Sequence, residues 1–194
     1  CRNGEPAKVE QDGVVYYPIP HHTKSKKDKI LDLFKLNDAA RDEVLWPYYE
    51  HKFKEVIEDF KPDVIHIFGS ELYHGLAARV AGNIPMVLHI QGLLSLYIYI
   101  LLPPGFSRRE YIMSGNGLQG KFHHLQYLAY WKRSAYREKA ILNAVPYVIG
   151  RTEWDRQAMA VLNPKAKYYY GGEILRDVFY EARERQIPKV PTIT

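Results

Sequence analysis

The sequence predicts an α/β protein, a parallel sheet with helices on both faces. Two observations carry that reading. Short β-branched or aromatic runs alternate with segments whose apolar residues recur at three and four, and the alternation repeats along most of the chain. Some runs, such as DVIHIF over 63–68, are apolar almost throughout, as strands buried on both faces are. The length of 194 residues suits one domain with its own core.

The elements follow in order. Residues 14–17 form a short β-branched and aromatic run closed by Pro18 and Pro20, which reads as a strand. The polar, basic stretch 21–29 reads as a loop. Over 47–60, Tyr49, Phe53, Val56, Ile57 and Phe60 share one helical face, and Pro47 suits a first turn. Pro62 ends that helix, and the strand 63–68 follows. An Ala- and Leu-rich segment, 71–81, reads as a helix stopped by Gly82 and Asn83, with a strand at 85–90. Beyond it come a long helix at 121–143, a strand at 146–149, a helix at 152–162, a strand at 167–170 and a helix at 174–183. The closing KVPTIT reads as a further strand beginning, so 1–187 is expected to be one domain and 188–194 a linker or the start of another.

Two segments interrupt the alternation. Residues 93–102 are apolar or aromatic except for Ser95, and ten residues fall short of the ~20 needed to span a bilayer. Burial is the first reading of this run, and an interfacial patch or an apolar acceptor groove are the others; beside the basic helix 121–139 it offers a face for an anionic membrane or a lipid-linked acceptor, so peripheral membrane contact is a further expectation. The stretch 103–120 holds two prolines and four glycines and reads as a long loop.

A hydrophobic fraction of 46% with 25% charged residues excludes disorder and fibrous classes. One cysteine excludes an internal disulfide framework, and the lack of an N-x-[ST] site fits a cytoplasmic protein. A start on Cys1 suggests a fragment. The net charge of +5, concentrated at 24–29 and 121–139, favours anionic partners without choosing among phosphorylated ligands, nucleic acid and membrane surfaces.

The short motifs in the chain exclude more functions than they support. Gly115, Gly117 and Gly120 spell G-x-G-x-x-G, but no strand precedes them, so the dinucleotide reading carries little weight. No phosphate loop, nucleophile elbow or H-E-x-x-H is present. The histidines lack metal-ligand spacing, so no metal is expected, and His66 and His89 read as strand residues of the core.

In open α/β sheets, ligands bind beyond the carboxyl ends of the strands. Here those ends are Gly69, Ser70 and Glu71; Gln91 and Gly92; 151–155; and 171–173. Gly69 and Gly92 equally suit plain turns, Glu71 and Glu153 suit helix dipoles, and Thr152 with Asp155 suits a capping box. Arg151 stands apart, because an arginine at a strand's carboxyl end suits two-pronged contacts with phosphate or carboxylate.

The blocks KPDVIHIFGSE, IPMVLHIQG and VIGRTEWDRQAMAVLNPKAKYYYGGEILRDVFY resemble, in order and spacing, the Rossmann-like N-terminal domain of GT-B-type group-one glycosyltransferases, family-four-like, over about 61–180. The resemblance implies transfer of a hexosyl group from a nucleotide sugar to a saccharide or lipid-linked acceptor, in polysaccharide or glycoconjugate synthesis, without a cofactor. It places Gln91 at the reacting sugar, where many members carry histidine. It also makes Gly69, Ser70, Glu71, Gly92, Arg151, Thr152 and Glu153 substrate-binding. The family's glycine-rich turn and its donor-binding second domain have no counterpart here, so a first βαβ unit and a C-terminal domain are expected to be missing and the fragment inactive alone. Glu173 and Glu181 match the E-x7-E spacing of that second domain, by chance and in the wrong domain. Two rival readings are a flavodoxin-like binding module, which lacks its acidic cluster, and a nucleic-acid binder. The second would use Tyr127, Tyr130 and Trp131, whose helical spacing favours packing; no nucleic-acid partner is expected.

Overall fold

The computed structural model describes residues 8–22, 42–172 and 176–181. Its centre is a four-stranded parallel sheet flanked by helices, a Rossmann-like α/β arrangement. Strands β1 (Val9–Gln11) and β2 (Val14–Tyr16) form a separate antiparallel hairpin. The expected strand at 14–17 is therefore half of a hairpin outside the parallel sheet. Asp12 and Gly13 turn it with φ of 53° and 75°, the left-handed pair that a two-residue Asp-Gly turn requires. Lys8 and Tyr17 bind the hairpin to the carboxylate of Asp59, at 2.6 Å from the lysine, and the Lys8 hydrogen bond holds that carboxyl below its usual range.

Helix α1 (Trp46–Phe60) buries Trp46, Tyr49 and Phe53. Pro47 sits in its first turn, and the backbone of Lys61 turns left-handed to donate to the Ile57 carbonyl at 2.9 Å. Pro62 then bars continuation, as expected. The sheet follows as β3 (Ile65–Phe68), β4 (Met86–His89), β5 (Tyr147–Gly150) and β6 (Lys167–Tyr170), paired in chain order. Right-handed crossovers taken always in one direction place every connection on the same side of a sheet. Ile67, Leu88 and Val148 lie in register on that side and form one core with Leu76, Ile141, Leu142 and Met159.

The opposite face is open among the described residues. Phe68 is 65% exposed, His66, Tyr147 and Tyr169 are exposed, and a depression of about 430 Å³ lies over Val87, Tyr147, Ile149 and Tyr169. Runs that read as buried on both sides are thus covered on one side by the helices described.

The connections depart from expectation in two places. The segment 71–81 is not an α-helix but a 3₁₀ helix, Tyr73–Arg79. Gly75 touches Ile141 so closely that a Cβ there would collide with its side chain, and this contact fixes the segment to the core at Gly75, Leu76 and Ala77. The stretch 103–120 is helical over 108–113 and 117–120 rather than one long loop. After α2 (Leu94–Tyr97), the Ser107 and Glu110 side chains form a reciprocal capping box that starts α3 (Arg108–Met113), and α4 (Gly117–Ala144) begins four residues later. Gly115 and Gly120 meet backbone to backbone at this corner, and Gly117 has φ of 62°. The G-x-G-x-x-G pattern is therefore a helix-to-helix corner.

Among the described residues two further helices follow, α5 (Glu153–Leu162) and α6 (Asp177–Tyr180). Asn163 donates to the carbonyls of Leu142 at 2.7 Å and Val145 at 3.3 Å, satisfying the end of α4. Of the helix expected at 174–183, Arg176 and Glu181 flank α6, while 174–175 and 182–183, with residue 173, the basic stretch 24–29 and the closing strand at 189–194, lie outside the described residues. Among the described residues, no helix is long and apolar enough to cross a membrane.

Candidate functional site

Because β3, β4 and β5 run parallel and adjacent, their carboxyl ends deliver three polar turns to one side of the sheet. Gly69 follows β3 with φ of 86°, and its N–H donates to the His89 carbonyl at 2.9 Å. A Cβ on Gly69 would collide with one oxygen of the Glu71 carboxylate, and a Cβ on Gly92 would stand 3.5 Å from the other. The carboxylate of Glu71 therefore spans the ends of β3 and β4, and a side chain at Gly69 would displace it, whereas one at Gly92 would meet it in ordinary contact. Gln91 lies between them, with Nε2 buried and without a hydrogen-bond partner among the described residues.

Arg151 comes from the end of β5. One guanidinium nitrogen, Nη2, donates to the Gln91 carbonyl at 2.9 Å, joining the two expected residues directly. Its backbone N–H and that of Thr152 both donate to Asp155 Oδ2, at 2.9 and 3.0 Å, while Thr152 Oγ1 accepts from the Asp155 N–H at 3.1 Å. Thr152 is thus engaged in the capping box that its spacing suggested. Glu153 turns to solvent and pairs with Arg156 and Gln157. Their hydrogen bonds hold its carboxyl down to about 2.

Ser70 turns inward. It is fully buried and donates to Glu138 Oε1 at 2.6 Å, with the Gly92 carbonyl 3.3 Å away. The other oxygen of Glu138 accepts the Ser95 N–H at 2.6 Å. Its neighbour Arg137, also buried, pairs with Asp42 at 2.7 Å and donates to the Glu71 carbonyl at 3.0 Å. Its guanidinium lies 4.0 Å from the centre of the Tyr73 ring, whose phenol is pushed up chiefly by burial and then by Asp42. Arg137 and Glu138 thus hold the turns after β3 and β4 from beneath. Sequence reasoning missed both, although each lies four residues before a core residue, Ile141 or Leu142, and so falls on the buried side of α4.

Of the expected residues, the structure brings Gly69, Glu71, Gln91, Gly92 and Arg151 to the strand ends. It assigns Ser70 to the floor, Thr152 to a cap and Glu153 to an exposed helical pair. A larger hollow of about 560 Å³ is lined by Asp42, Tyr49, Tyr73, Tyr130, Arg133 and Arg137, and none of the expected strand-end residues lines it. Tyr127 and Tyr130 pack edgewise on Trp131, which also meets Tyr97, so these aromatics join α2 to α4. No group of three acidic, histidine or cysteine side chains placed to hold a metal occurs among the described residues. Compared with family models, curated proteins and solved structures, the chain gives no match in any of the three.

Proposed function

We propose that this chain is the acceptor-side, Rossmann-like part of a GT-B-type glycosyltransferase, moving a hexosyl group from a nucleotide sugar to a saccharide or lipid-linked acceptor. The observation that carries the reading is the meeting of Arg151, Gln91 and Glu71 at the carboxyl ends of three adjacent strands, with Arg151 bonded to Gln91 at 2.9 Å. The chemistry is positional and electrostatic. Arg151 compensates charge on the departing diphosphate, and the Gln91 amide, buried and without a hydrogen-bond partner among the described residues, turns outward on binding to donate to a sugar hydroxyl or phosphate oxygen. Gly69 leaves room for the Glu71 carboxylate at the strand ends, where it accepts from a sugar hydroxyl. The hollow lined by the stacked rings of Tyr49 and Tyr73 and by Arg133 offers an acceptor surface. A second β/α domain binds the nucleotide and closes the cleft, so the 194-residue chain alone releases no nucleotide from UDP- or GDP-sugars.

The test is a nuclear magnetic resonance titration of the chain with a panel of saccharides and nucleoside diphosphates, alongside turnover assays on the full-length gene product. The expected result is a shift of the Gln91 side-chain amide and the Arg151 guanidinium with at least one class, and turnover only by the longer protein. Silence at both residues, with no turnover by the full-length product, overturns the reading.

A further inference from the structure

The first half of α4 carries its apolar residues on the wrong side for a soluble helix. Leu118, Phe122 and Leu125, spaced by four and three, share one stripe and are 87%, 60% and 50% exposed. The second half of the same helix buries Ser134, Glu138, Ile141 and Leu142. Beside the stripe, the connection after α2 exposes Tyr99 and Ile100 and walls a groove of about 330 Å³ with Leu102, Phe106, Arg108 and Lys132. Lys132 stands seven residues beyond Leu125, two helical turns along the same face, so groove and stripe adjoin.

The charged side chains that line the groove, Arg108 and Lys132, are both cations, and the stretch of chain that builds this surface has nearly one sign of charge. Between residues 93 and 133 the chain has Arg108, Arg109, Lys121, Lys132 and Arg133 against the single acid Glu110. That acid is committed to the capping box with Ser107, whose hydrogen bonds hold its carboxyl below the usual range. A two-fold contact between copies would set these cations against their own kind. An anionic lipid surface would attract all of them, and tyrosine and phenylalanine are the side chains that settle at headgroup depth.

We propose that this face docks on an anionic lipid bilayer. Leu118, Phe122, Leu125 and Ile100 enter the headgroup boundary, while Arg108, Lys121 and Lys132 meet lipid phosphates. The stripe and its cations carry this inference without the transferase reading.

The experiment is co-sedimentation of the 194-residue chain with vesicles of phosphatidylcholine and phosphatidylglycerol in equal parts, against pure phosphatidylcholine. Binding is expected to the anionic vesicles alone and to fall with salt. Lys121→Gln with Lys132→Gln should weaken it about 25-fold, at roughly a fivefold loss per lysine. Leu118→Ser with Phe122→Ser should weaken it at unchanged charge and fold, and the indole emission of Phe122→Trp should shift to the blue when vesicles are added. Absence of binding at low salt overturns the proposal. So does binding indifferent to the serine pair, which would be plain ionic adsorption, or a dimer in sedimentation velocity that the serine pair dissociates.

Discussion

At the scale of single residues, the molecule depends most on two adjacent charges. Glu138 is fully buried and accepts from Ser70 and Ser95, while Arg137 joins Asp42 to the turn after β3. Removing one member of a buried pair leaves the other charged in a medium that solvates it poorly. Arg137→Met should cost ~3–5 kcal/mol in chemical denaturation, and Arg137→Met with Asp42→Leu should recover much of it. Glu138→Ala should cost ~2–4 kcal/mol, because a hydroxyl and an N–H lose their acceptor in the core. Losses near those of surface substitutions would mean that water reaches these groups. Neither residue stands out in the sequence, since charged side chains in a helix ordinarily face solvent. Their burial is decided by which side of α4 meets the sheet.

At the scale of elements, each strand has a core side and an open side, and neighbouring residues test the difference. Ile67→Ala should cost ~2–4 kcal/mol, whereas Phe68→Ser, one residue on, should cost under ~1 kcal/mol. Equal costs would show that something covers the open face. The start of α5 gives a second comparison. Thr152→Ala removes a cap whose partner Asp155 is buried and should cost ~1–2 kcal/mol; Ser107→Ala, at an exposed cap, should mainly speed amide exchange in α3. Glu153 adds a pH dependence. Its folded pKa lies below the ordinary value of 4.5, so its contribution is complete above that value and is lost as pH falls toward about 2. Glu153→Gln should therefore flatten the acid limb of stability in that window. Of the elements, α1 and β6 were plain in the sequence because pattern and punctuation agreed at Pro47, Pro62 and the 167–170 run. The capping box at Ser107 and Glu110 was equally legible but lay inside a stretch whose glycines and prolines read as loop. The 3₁₀ turn after β3 was not legible, because it arises from the contact of Gly75 with Ile141 across the fold.

At the scale of the whole molecule, the order β3-β4-β5-β6 assembles the candidate site, by placing Gly69, Gln91 and Arg151 at neighbouring strand ends. In the full-length enzyme of the proposed function, Arg151→Ala should lower kcat/KM by roughly 10²–10³ with little change in melting temperature. Arg151→Lys should rescue it only in part, since a point charge does not reproduce a planar fork. A lower melting temperature with unchanged activity per folded molecule would make the bond to Gln91 purely structural. The sequence by itself determined the alternation of elements, the parallel sheet and the polar strand ends, because local periodicity and turn chemistry act over a few residues. Tertiary structure alone decided that Ser70 faces the floor, that Arg137 and Glu138 lie beneath the site, and that the stripe at Leu118 and Phe122 faces solvent. Each depends on which face of an element meets another, and that choice is made by packing between segments far apart in the chain.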